Sequence, residues 1–494
     1  MGAFYWGGKF FAYASRFITG ILLARFLAAE QYGLYNLSLT VIEIAAGLGA
    51  MGLAAALVRY IPIFVSQRDE KRIWGMIQLG LGLPTLLSLL LGIGLYTQAE
   101  FVAEQLFAEP NLTPLLKLLS PLLVFFTLGD MIAAATRGFK NVHYTVIAQD
   151  IAKSTVKFVL ILALVIVGLN TTGSVVIIGL TEVLTCLLLL FFLNKQFSLK
   201  RPLLAAKREV GEVLRFSLPG YFAGLTTTFS SNIRTLLLGT LHDVTAVGVF
   251  AAARQVNLIS DMFHTSIVTV SQPIVAELSS RPNKEQLKGF YQTMSRWSFI
   301  LNLPFFCLII LFSDAILHIF GESFADGVVV LRILAWAGLI NTSTGICGVL
   351  LDMSGNTHLK LVNTIVSVAT SIGLSFLMIP SWGLMGAATA SLASAVIVNL
   401  LRLVEVFMIF RLLPYNPSFL KPIIAGFIAF GVDWGFDHWL LGGVSPVYLV
   451  VKVIIFLSIY ISLMLALGLS DEDRMVLARL RQRFGLFLPK RQVF

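Results

Sequence analysis

The chain has 494 residues, of which 57% are hydrophobic and only 13% are charged, and its mean hydropathy is +0.86. A soluble globular protein carries about 25% charged residues, so this composition excludes the soluble classes and indicates a polytopic membrane protein. The formal net charge is +10. The basic residues lie mainly between apolar segments, which is typical of a topology signal, so we expect no nucleic-acid partner.

Apolar stretches of about 20 residues, the length that crosses the hydrocarbon core of a bilayer, recur along the whole sequence. The predicted spans are 7–28, 34–58, 76–96, 115–136, 146–168, 173–193, 217–241, 246–275, 297–318, 328–350, 360–380, 384–408, 420–441 and 446–468. The predicted fold class is therefore an all-α polytopic membrane protein with about fourteen transmembrane helices.

The connections between the spans predict the orientation of the chain. If the amino terminus is inside, the inner connections and the tail contain 25 of the 36 Lys and Arg residues, and the outer connections contain none. Cytoplasmic connections are enriched in basic residues. We therefore expect a multi-pass protein of the inner (plasma) membrane with both termini in the cytoplasm.

An internal repeat relates the two halves of the chain at an offset of about 215 residues. Tyr32-Gly33-Leu34-Tyr35 aligns with Val247-Gly248-Val249-Phe250, and Asn141-Val-His143 aligns with Asn356-Thr-His358. Six spans in each half make the repeat parallel, with a pseudo-two-fold axis along the membrane normal. The predicted domains are a six-helix lobe (1–193), a cytoplasmic basic linker (194–216), a second six-helix lobe (217–412), two additional helices (413–468) and a cytoplasmic basic tail (469–494).

Polar side chains inside the membrane are concentrated in the spans that the repeat matches. The eighth span carries four of them at spacings that place them on one helical face: Arg254, Asn257, Asp261 and His264. A central charge facing lipid costs roughly 2.5–3.5 kcal/mol, so this face is expected to contact protein or a wet cavity. The first, second and seventh spans also carry inward polar residues: Arg16, Glu43, Asn232 and Arg234. The four spans predict a central cleft with Arg in excess over carboxylate; the alternative for the eighth span is a buried ion pair that fixes helix packing.

The fifth span adds a cluster with two interpretations. Asp150, Lys153 and Lys157 lie on one face, where an Asp150–Lys153 salt bridge would leave Lys157 to bind a phosphate or another carboxylate. Glu182 is isolated in the sixth span, and we expect it to be a buried partner or an end anchor. The candidates for substrate binding are Arg16, Arg25, Asn232, Arg234, Arg254, Asn257, Lys153 and Lys157; those for ion coupling or charge balance are Glu43, Asp150, Asp261 and His264.

An Arg-lined cleft suits an anionic ligand, because guanidinium stays charged when desolvated and binds phosphate through paired hydrogen bonds. The three cysteines have no zinc spacing, and the sequence has no phosphate-binding Gly-x-x-x-x-Gly-Lys-Ser/Thr loop. We therefore predict neither a metal nor another cofactor, and transport that is downhill or coupled to H+ or Na+. The longest outer connection, 97–114, is too short for a catalytic domain, so we predict that the chain is not an enzyme.

The stretch Gly20-Ile-Leu-Leu-Ala-Arg25-Phe-Leu-Ala-Ala-Glu30-Gln-Tyr-Gly33-Leu-Tyr35 resembles the first hairpin of bacterial polysaccharide flippases of the O-antigen type. These belong to the multidrug/oligosaccharidyl-lipid/polysaccharide exporter superfamily. Its members commonly show a Leu-Ala-Arg run, a Gly-Pro-type turn and Tyr-Gly-x-Tyr; here the turn is Ala28-Ala29, and Arg25 is the single residue matching a motif.

The resemblance implies a V-shaped pair of bundles that moves a polyprenyl-pyrophosphate-linked oligosaccharide from the inner to the outer leaflet by alternating access, for surface polysaccharide export. It also implies a central cavity lined by spans one, two, seven and eight, and polysaccharide polymerase and chain-length proteins as partners besides membrane lipids. Two alternatives stay open at this point. A lipid-linked peptidoglycan-precursor flippase has the same span count and a cationic cavity. An ion-coupled drug exporter of the same superfamily typically has twelve spans and a cavity richer in carboxylate.

Overall fold

The computed structural model describes residues 2–280, 284–355, 357–439 and 446–468, and within these ranges the regular structure is entirely helical. The α-helices are α1 (Gly2–Gly49), α2 (Leu53–Ser66), α3 (Glu70–Thr97), α4 (Leu112–Leu119), α5 (Leu123–Gly138), α6 (Val142–Thr145), α7 (Lys153–Val167), α8 (Thr171–Gln196), α9 (Val210–Leu241), α10 (Val244–Ser279), α11 (Lys284–Phe320), α12 (Gly327–Ser343), α13 (Cys347–Met353), α14 (Thr357–Phe410), α15 (Leu420–Trp439) and α16 (Pro446–Ala466). The predicted basic tail 469–494 lies outside the described residues.

Each predicted span overlaps a helical segment, which confirms the all-α polytopic fold. α1 contains the predicted span 7–28 and most of 34–58, and α14 contains 360–380 and 384–408; the two helices leave helical geometry at Ala28 and Gly383. Among the described residues, eight helices are long and apolar enough to cross a membrane, or nine if the bent pair α12–α13 is one span. α7, with 15 residues, and the more polar helices α9 and α10 are not among those eight, and they carry several of the charged residues that the sequence pattern singled out.

The connection 242–245 that the predicted spans leave between them joins α9 to α10. α9 ends at Leu241 and α10 begins at Val244. The Asp243 carboxylate accepts a hydrogen bond of 2.6 Å from the backbone N–H of Ala246, which satisfies one of the free donors at the start of α10.

The described residues form two compact units, the first within 1–259, 316–334 and 361–394, and the second within 260–315, 335–360 and 395–494. In the first unit, the main core is built from α2, α3, α5 and α8, with fully buried side chains such as Leu57, Ile61 and Ile132. In the second unit, one core surrounds Tyr291 and Leu350, and another joins α15 and α16 to α11. The predicted division into lobes at 194–216 stays a prediction.

Two glycines bring α1 and α10 into close contact inside the first unit. A Cβ atom on Gly33 would collide with the backbone carbonyl of Val244, and one on Gly248 would collide with the carbonyl of Ala29. Residues 29 and 244, like 33 and 248, lie 215 positions apart. Gly33 therefore meets Val244, while its repeat counterpart Gly248 meets Ala29, the counterpart of Val244. A two-fold axis between the two helices requires this reciprocal pattern. Small residues permit this approach in membrane helices.

We expect Ala28→Gly to stabilise the protein by about 1 kcal/mol, because Ala28 has φ 60° and ψ 174°, a region that only glycine adopts without strain. Thermal unfolding of the detergent-solubilised protein, followed by circular dichroism, measures the change. The control is Ala24→Gly, which lies buried within the helical part of α1 and should lower stability by about 1 kcal/mol. Equal losses in both variants would contradict the assignment of strain to Ala28.

Candidate functional site

A cavity of about 270 Å³ lies within the first unit, among helices that carry the predicted polar stripes. Both halves of α1 line it, together with α5, α7, α8, α9 and α10. Its charged lining residues are four cations and two carboxylates: Arg16, Lys153, Lys157, Arg254, Glu43 and Glu182. The remaining polar lining groups include Tyr32, Asn36, Thr40, Thr235 and Gln255.

The two carboxylates of this charged cavity already have partners. The Lys153 Nζ lies 2.5 Å from the Glu182 Oε1, with the two side chains 35% and 10% exposed. The Asn232 amide donates to the Glu43 Oε2 at 3.4 Å. Glu182 is thus a buried partner, one of the two roles expected for it. It also lines the cavity, and its isolated position in an apolar span does not indicate this in the sequence.

Three cations of the charged cavity have no carboxylate partner among the described residues: Arg16, Lys157 and Arg254. Arg254 donates to the backbone carbonyl of Ser231 on α9 at 3.0 Å, which holds the guanidinium near the cavity wall. Arg16 is exposed to the cavity space. Since a desolvated cation without a counter-ion raises the local potential, these side chains give the cavity an unbalanced positive charge.

A polar bridge between α1 and α10 fixes one wall of the charged cavity. The Gln255 side chain donates to the Phe17 carbonyl at 3.0 Å and accepts from the Tyr32 hydroxyl at 2.8 Å. Gln255 therefore joins the two halves of α1 to α10, next to Arg254. Neither Gln255 nor Tyr32 is among the predicted site residues; Tyr32 belongs to the Tyr-Gly-x-Tyr motif, which is the one sequence signal that points to it.

One pairing predicted from the sequence is wrong. Asp150 does not pair with Lys153 but with Lys9, whose Nζ lies 2.9 Å from its Oδ1. Residues 146–152 form a π-helical segment, so the spacing that places positions 150 and 153 on one face of a regular α-helix does not hold here. Lys153 is consequently available to Glu182.

Several predicted site residues lie outside the lining of the charged cavity. Arg234 donates to the Ser371 hydroxyl on α14 at 2.5 Å, and the Asn257 amide donates to the carbonyl of Ala253 in its own helix at 3.1 Å. Arg25 is exposed, and its guanidinium contacts the Ile319 carbonyl in the last turn of α11 at 3.5 Å. A cation at a helix carboxyl terminus stabilises the helix dipole, so this contact fits a structural role for Arg25.

The two remaining candidates for ion coupling, Asp261 and His264, belong to the second unit. There the His264 Nδ1 lies 2.7 Å from the Ser298 hydroxyl, and the neighbouring Ser260 hydroxyl donates to Asn302. These contacts place His264 in a polar interior of the second unit. Its role in coupling stays a prediction, as does that of Asp261.

The Lys153–Glu182 pair gives a stability test. We expect Lys153→Met to lower the free energy of unfolding by about 1–3 kcal/mol, less than for a fully buried pair because Lys153 is 35% exposed. The double variant Lys153→Met/Glu182→Gln should recover most of that loss, since no carboxylate then remains without its partner. Thermal unfolding in detergent measures both. The matched control is Lys157→Met, which removes an unpaired cation and should leave stability unchanged or higher; a loss as large as that of Lys153→Met would contradict the pairing.

Known proteins similar in sequence were found for most of the chain. The polysaccharide biosynthesis protein family matches residues 22–329. Over 198 residues, the chain is 28% identical to the probable low-salt glycan biosynthesis flippase Agl15 of Haloferax volcanii, covering 40% of this chain and 41% of that protein. Over 391 residues, it is 25% identical to the lipopolysaccharide biosynthesis protein WzxC of Escherichia coli, covering 76% and 73%. The chain thus spans less than half the length of the first of these relatives.

Among solved structures, the fold is similar to that of the lipid II flippase MurJ in an inward closed conformation. The TM-score is 0.72, and the superposition covers 93% of this chain and 97% of that one at 15% sequence identity. At this identity the similarity establishes the shared helical membrane fold.

Proposed function

Since the chain belongs to the polysaccharide biosynthesis protein family, we propose that it is a flippase that moves a polyprenyl-pyrophosphate-linked oligosaccharide across the cytoplasmic membrane by alternating access. The observation that carries the proposal is the set of three cations in the charged cavity, Arg16, Lys157 and Arg254, that lack a carboxylate partner among the described residues. Two relatives support it by their names, one a glycan biosynthesis flippase and the other a lipopolysaccharide biosynthesis protein.

The chemistry of the charged cavity matches a pyrophosphate. Its two phosphoryl groups carry negative charge and accept hydrogen bonds, and guanidinium groups bind such oxygens in pairs. Arg16 lies on α1 in the first half of the chain and Arg254 lies on α10 in the second half, so a diphosphate bound to both would connect the two halves. The Lys153–Glu182 pair adds a cation whose present partner a phosphate oxygen can replace.

The polar remainder of the cavity suits a sugar. Tyr32, Asn36, Thr235 and Gln255 present hydroxyl and amide groups, which donate to and accept from sugar hydroxyls. In this proposal the pyrophosphate and the first sugars occupy the cavity while the polyprenyl chain stays in lipid. Glu43, Asp261 and His264 remain our candidates for coupling to H+ or Na+. The same proposal includes the cytoplasmic location of both termini and a partnership with polymerase and chain-length proteins.

The two alternatives differ in the ligand they require. A cationic drug would bind poorly in a cavity with an excess of Arg and Lys, because like charges repel in a low dielectric. A peptidoglycan-precursor flippase would also use a cationic cavity, and the shared fold with MurJ keeps it as the second candidate. Its substrate carries the same pyrophosphate, so competition between substrates distinguishes the two.

Transport in vesicles tests the proposal. The full chain is reconstituted with a fluorescent short-chain polyprenyl-pyrophosphate oligosaccharide, and a membrane-impermeant reductant is added outside. We expect quenching of the lipid in both leaflets, against about half in protein-free vesicles, and competition by unlabelled oligosaccharide lipid but not by a cationic dye. Quenching equal to that of protein-free vesicles would overturn the proposal, and stronger competition by peptidoglycan precursor would favour the second candidate.

Cysteine labelling of intact cells tests the proposed orientation. Cys186, Cys307 and Cys347 are buried, so an impermeant maleimide should react with an added cysteine at the exposed position of Glu104. In intact cells, Glu104→Cys is expected to label from outside. Labelling only after lysis would reverse the proposed orientation.

A further inference from the structure

A second cavity, of about 500 Å³, lies along α3 in the first unit and shares no lining residue with the charged cavity. We call it the α3 groove; its lining includes Trp74, Leu79, Gly82, Leu86, Leu199 and Arg208. Its volume lies within the range of about 300–1,000 Å³ that is usual for ligand sites. The groove is therefore large enough for part of a small amphipathic molecule.

The α3 groove is apolar along its length and basic at one end. Leucines of α3 form the wall, and Leu86 is 57% exposed, so the apolar part opens toward the lipid side of the helix. At the basic end the Arg208 Nε donates to the Gln78 Oε1 at 2.8 Å, which orients the guanidinium at the mouth. The buried Trp74 indole donates to the Pro202 carbonyl at 3.0 Å, which holds the linker at this end of the groove.

The basic linker is fixed against the start of α3, so its charges have a defined position. The backbone N–H of Lys207 donates to the Lys71 carbonyl at 3.0 Å. Arg201 pairs with Glu70 at 2.8 Å, and Arg72 pairs with Glu209 at 3.0 Å. These carboxylates are neutralised by their own partners.

The charge that remains near the mouth is positive. Lys71 and Lys200 are exposed and have no ion-pair partner among the described residues. Arg208 lines the groove at its mouth with the Gln78 side chain among its partners, and a guanidinium has five N–H donors with which it can also bind a phosphate. An apolar groove with a cationic end complements an acyl chain with an anionic head group. The basic linker is predicted to be cytoplasmic, and the cytoplasmic leaflet is the one in which anionic lipids attract basic segments.

We propose that the α3 groove binds an anionic phospholipid of the inner leaflet, with an acyl chain along the leucines of α3 and the phosphate on Arg208. The proposal goes beyond the transport function and uses only the predicted orientation of the linker. The bound lipid would hold the linker against α3, because its phosphate would neutralise the linker's excess positive charge.

Native mass spectrometry of the full chain, purified in detergent and incubated with phosphatidylglycerol or phosphatidylcholine, tests the head-group part of the proposal. Wild type is expected to retain phosphatidylglycerol preferentially, and Arg208→Gln to retain about fivefold less, the effect of one basic residue near an anionic lipid surface. The matched control Lys288→Gln removes an exposed basic residue elsewhere and should match wild type. Equal retention of both lipids, or equal losses in both variants, would overturn the proposal.

A second pair of variants tests the apolar part. A Cβ on Gly82 would meet no atom within 4 Å, so Gly82→Phe can fill the groove without disturbing the helix packing. It should reduce phosphatidylglycerol retention as much as Arg208→Gln, whereas Gly94→Phe, on the same helix and equally open, should not. If the polyprenyl-pyrophosphate oligosaccharide displaces phosphatidylglycerol from wild type, the groove is a substrate entry site and the phospholipid proposal is wrong. Unchanged vesicle transport in Gly82→Phe leaves the flippase proposal intact whichever way lipid retention turns out.

Discussion

Replacement of Arg254 by Gln is expected to lower transport of the lipid-linked oligosaccharide by about 10- to 100-fold. The guanidinium lines the charged cavity without a carboxylate partner among the described residues and is held by the Ser231 carbonyl at 3.0 Å. A hydrogen bond to a charged group contributes about 1.5–3 kcal/mol, which corresponds to that range of rates if it forms with the substrate during transport. The vesicle quenching assay measures the rate, and Arg254→Lys should retain an intermediate rate because it keeps the charge and loses the paired geometry.

Arg25→Gln is the matched control, since Arg25 is also an arginine of a predicted span but contacts the Ile319 carbonyl instead of the charged cavity. We expect its transport rate to stay within about threefold of wild type, with a stability loss below about 1 kcal/mol from the weakened helix terminus. Normal transport in Arg254→Gln together with loss of transport in Arg25→Gln would contradict the cavity assignment. It would indicate that Arg25, the residue that matches the family motif, acts in transport.

Arg16→Gln extends the same test to the other half of the site. If one pyrophosphate bridges Arg16 and Arg254, the double variant should lose less than the product of the two single losses, because the two side chains then act on one ligand. Independent, multiplicative losses would indicate that the two arginines do not bind the same group.

The positions of the helices could be predicted because the bilayer imposes them. A helix needs about 20 apolar residues to cross, and the basic connections mark its ends. The predicted connection 242–245 agrees with the structure within two residues, since α9 ends at Leu241 and α10 begins at Val244. The predicted continuous span 34–58 is instead broken between Gly49 and Leu53, where α1 gives way to α2.

The partners of the charged residues could not be predicted, because they lie far apart in sequence. Helical periodicity shows which face carries a charge but not which distant helix that face contacts. Lys153 pairs with Glu182 and not with its near neighbour Asp150, because a π-helical segment changes the local geometry. Adjacent spans and the repeat both group Arg234 with Arg254, yet Arg234 donates to Ser371, a residue 137 positions away.

The glycine contact between α1 and α10 gives the second large effect. We expect Gly33→Val and Gly248→Val each to lower the free energy of unfolding by about 1–3 kcal/mol or more, because the added Cβ would collide with a backbone carbonyl that no side-chain rotation can move. Gly94→Val is the control, as a Cβ there meets no atom within 4 Å. Thermal unfolding in detergent, followed by circular dichroism, compares the three.

The double variant Gly33→Val/Gly248→Val tests the reciprocity of the contact. Each substitution alone forces α1 and α10 apart at the same place, so the second should add little once the first has opened the gap, and the coupling should be about 1 kcal/mol or more. Separate contacts would instead give additive losses. Additivity would mean that the two glycines do not share one interface, and the two-fold relation between α1 and α10 would then rest on sequence alignment alone.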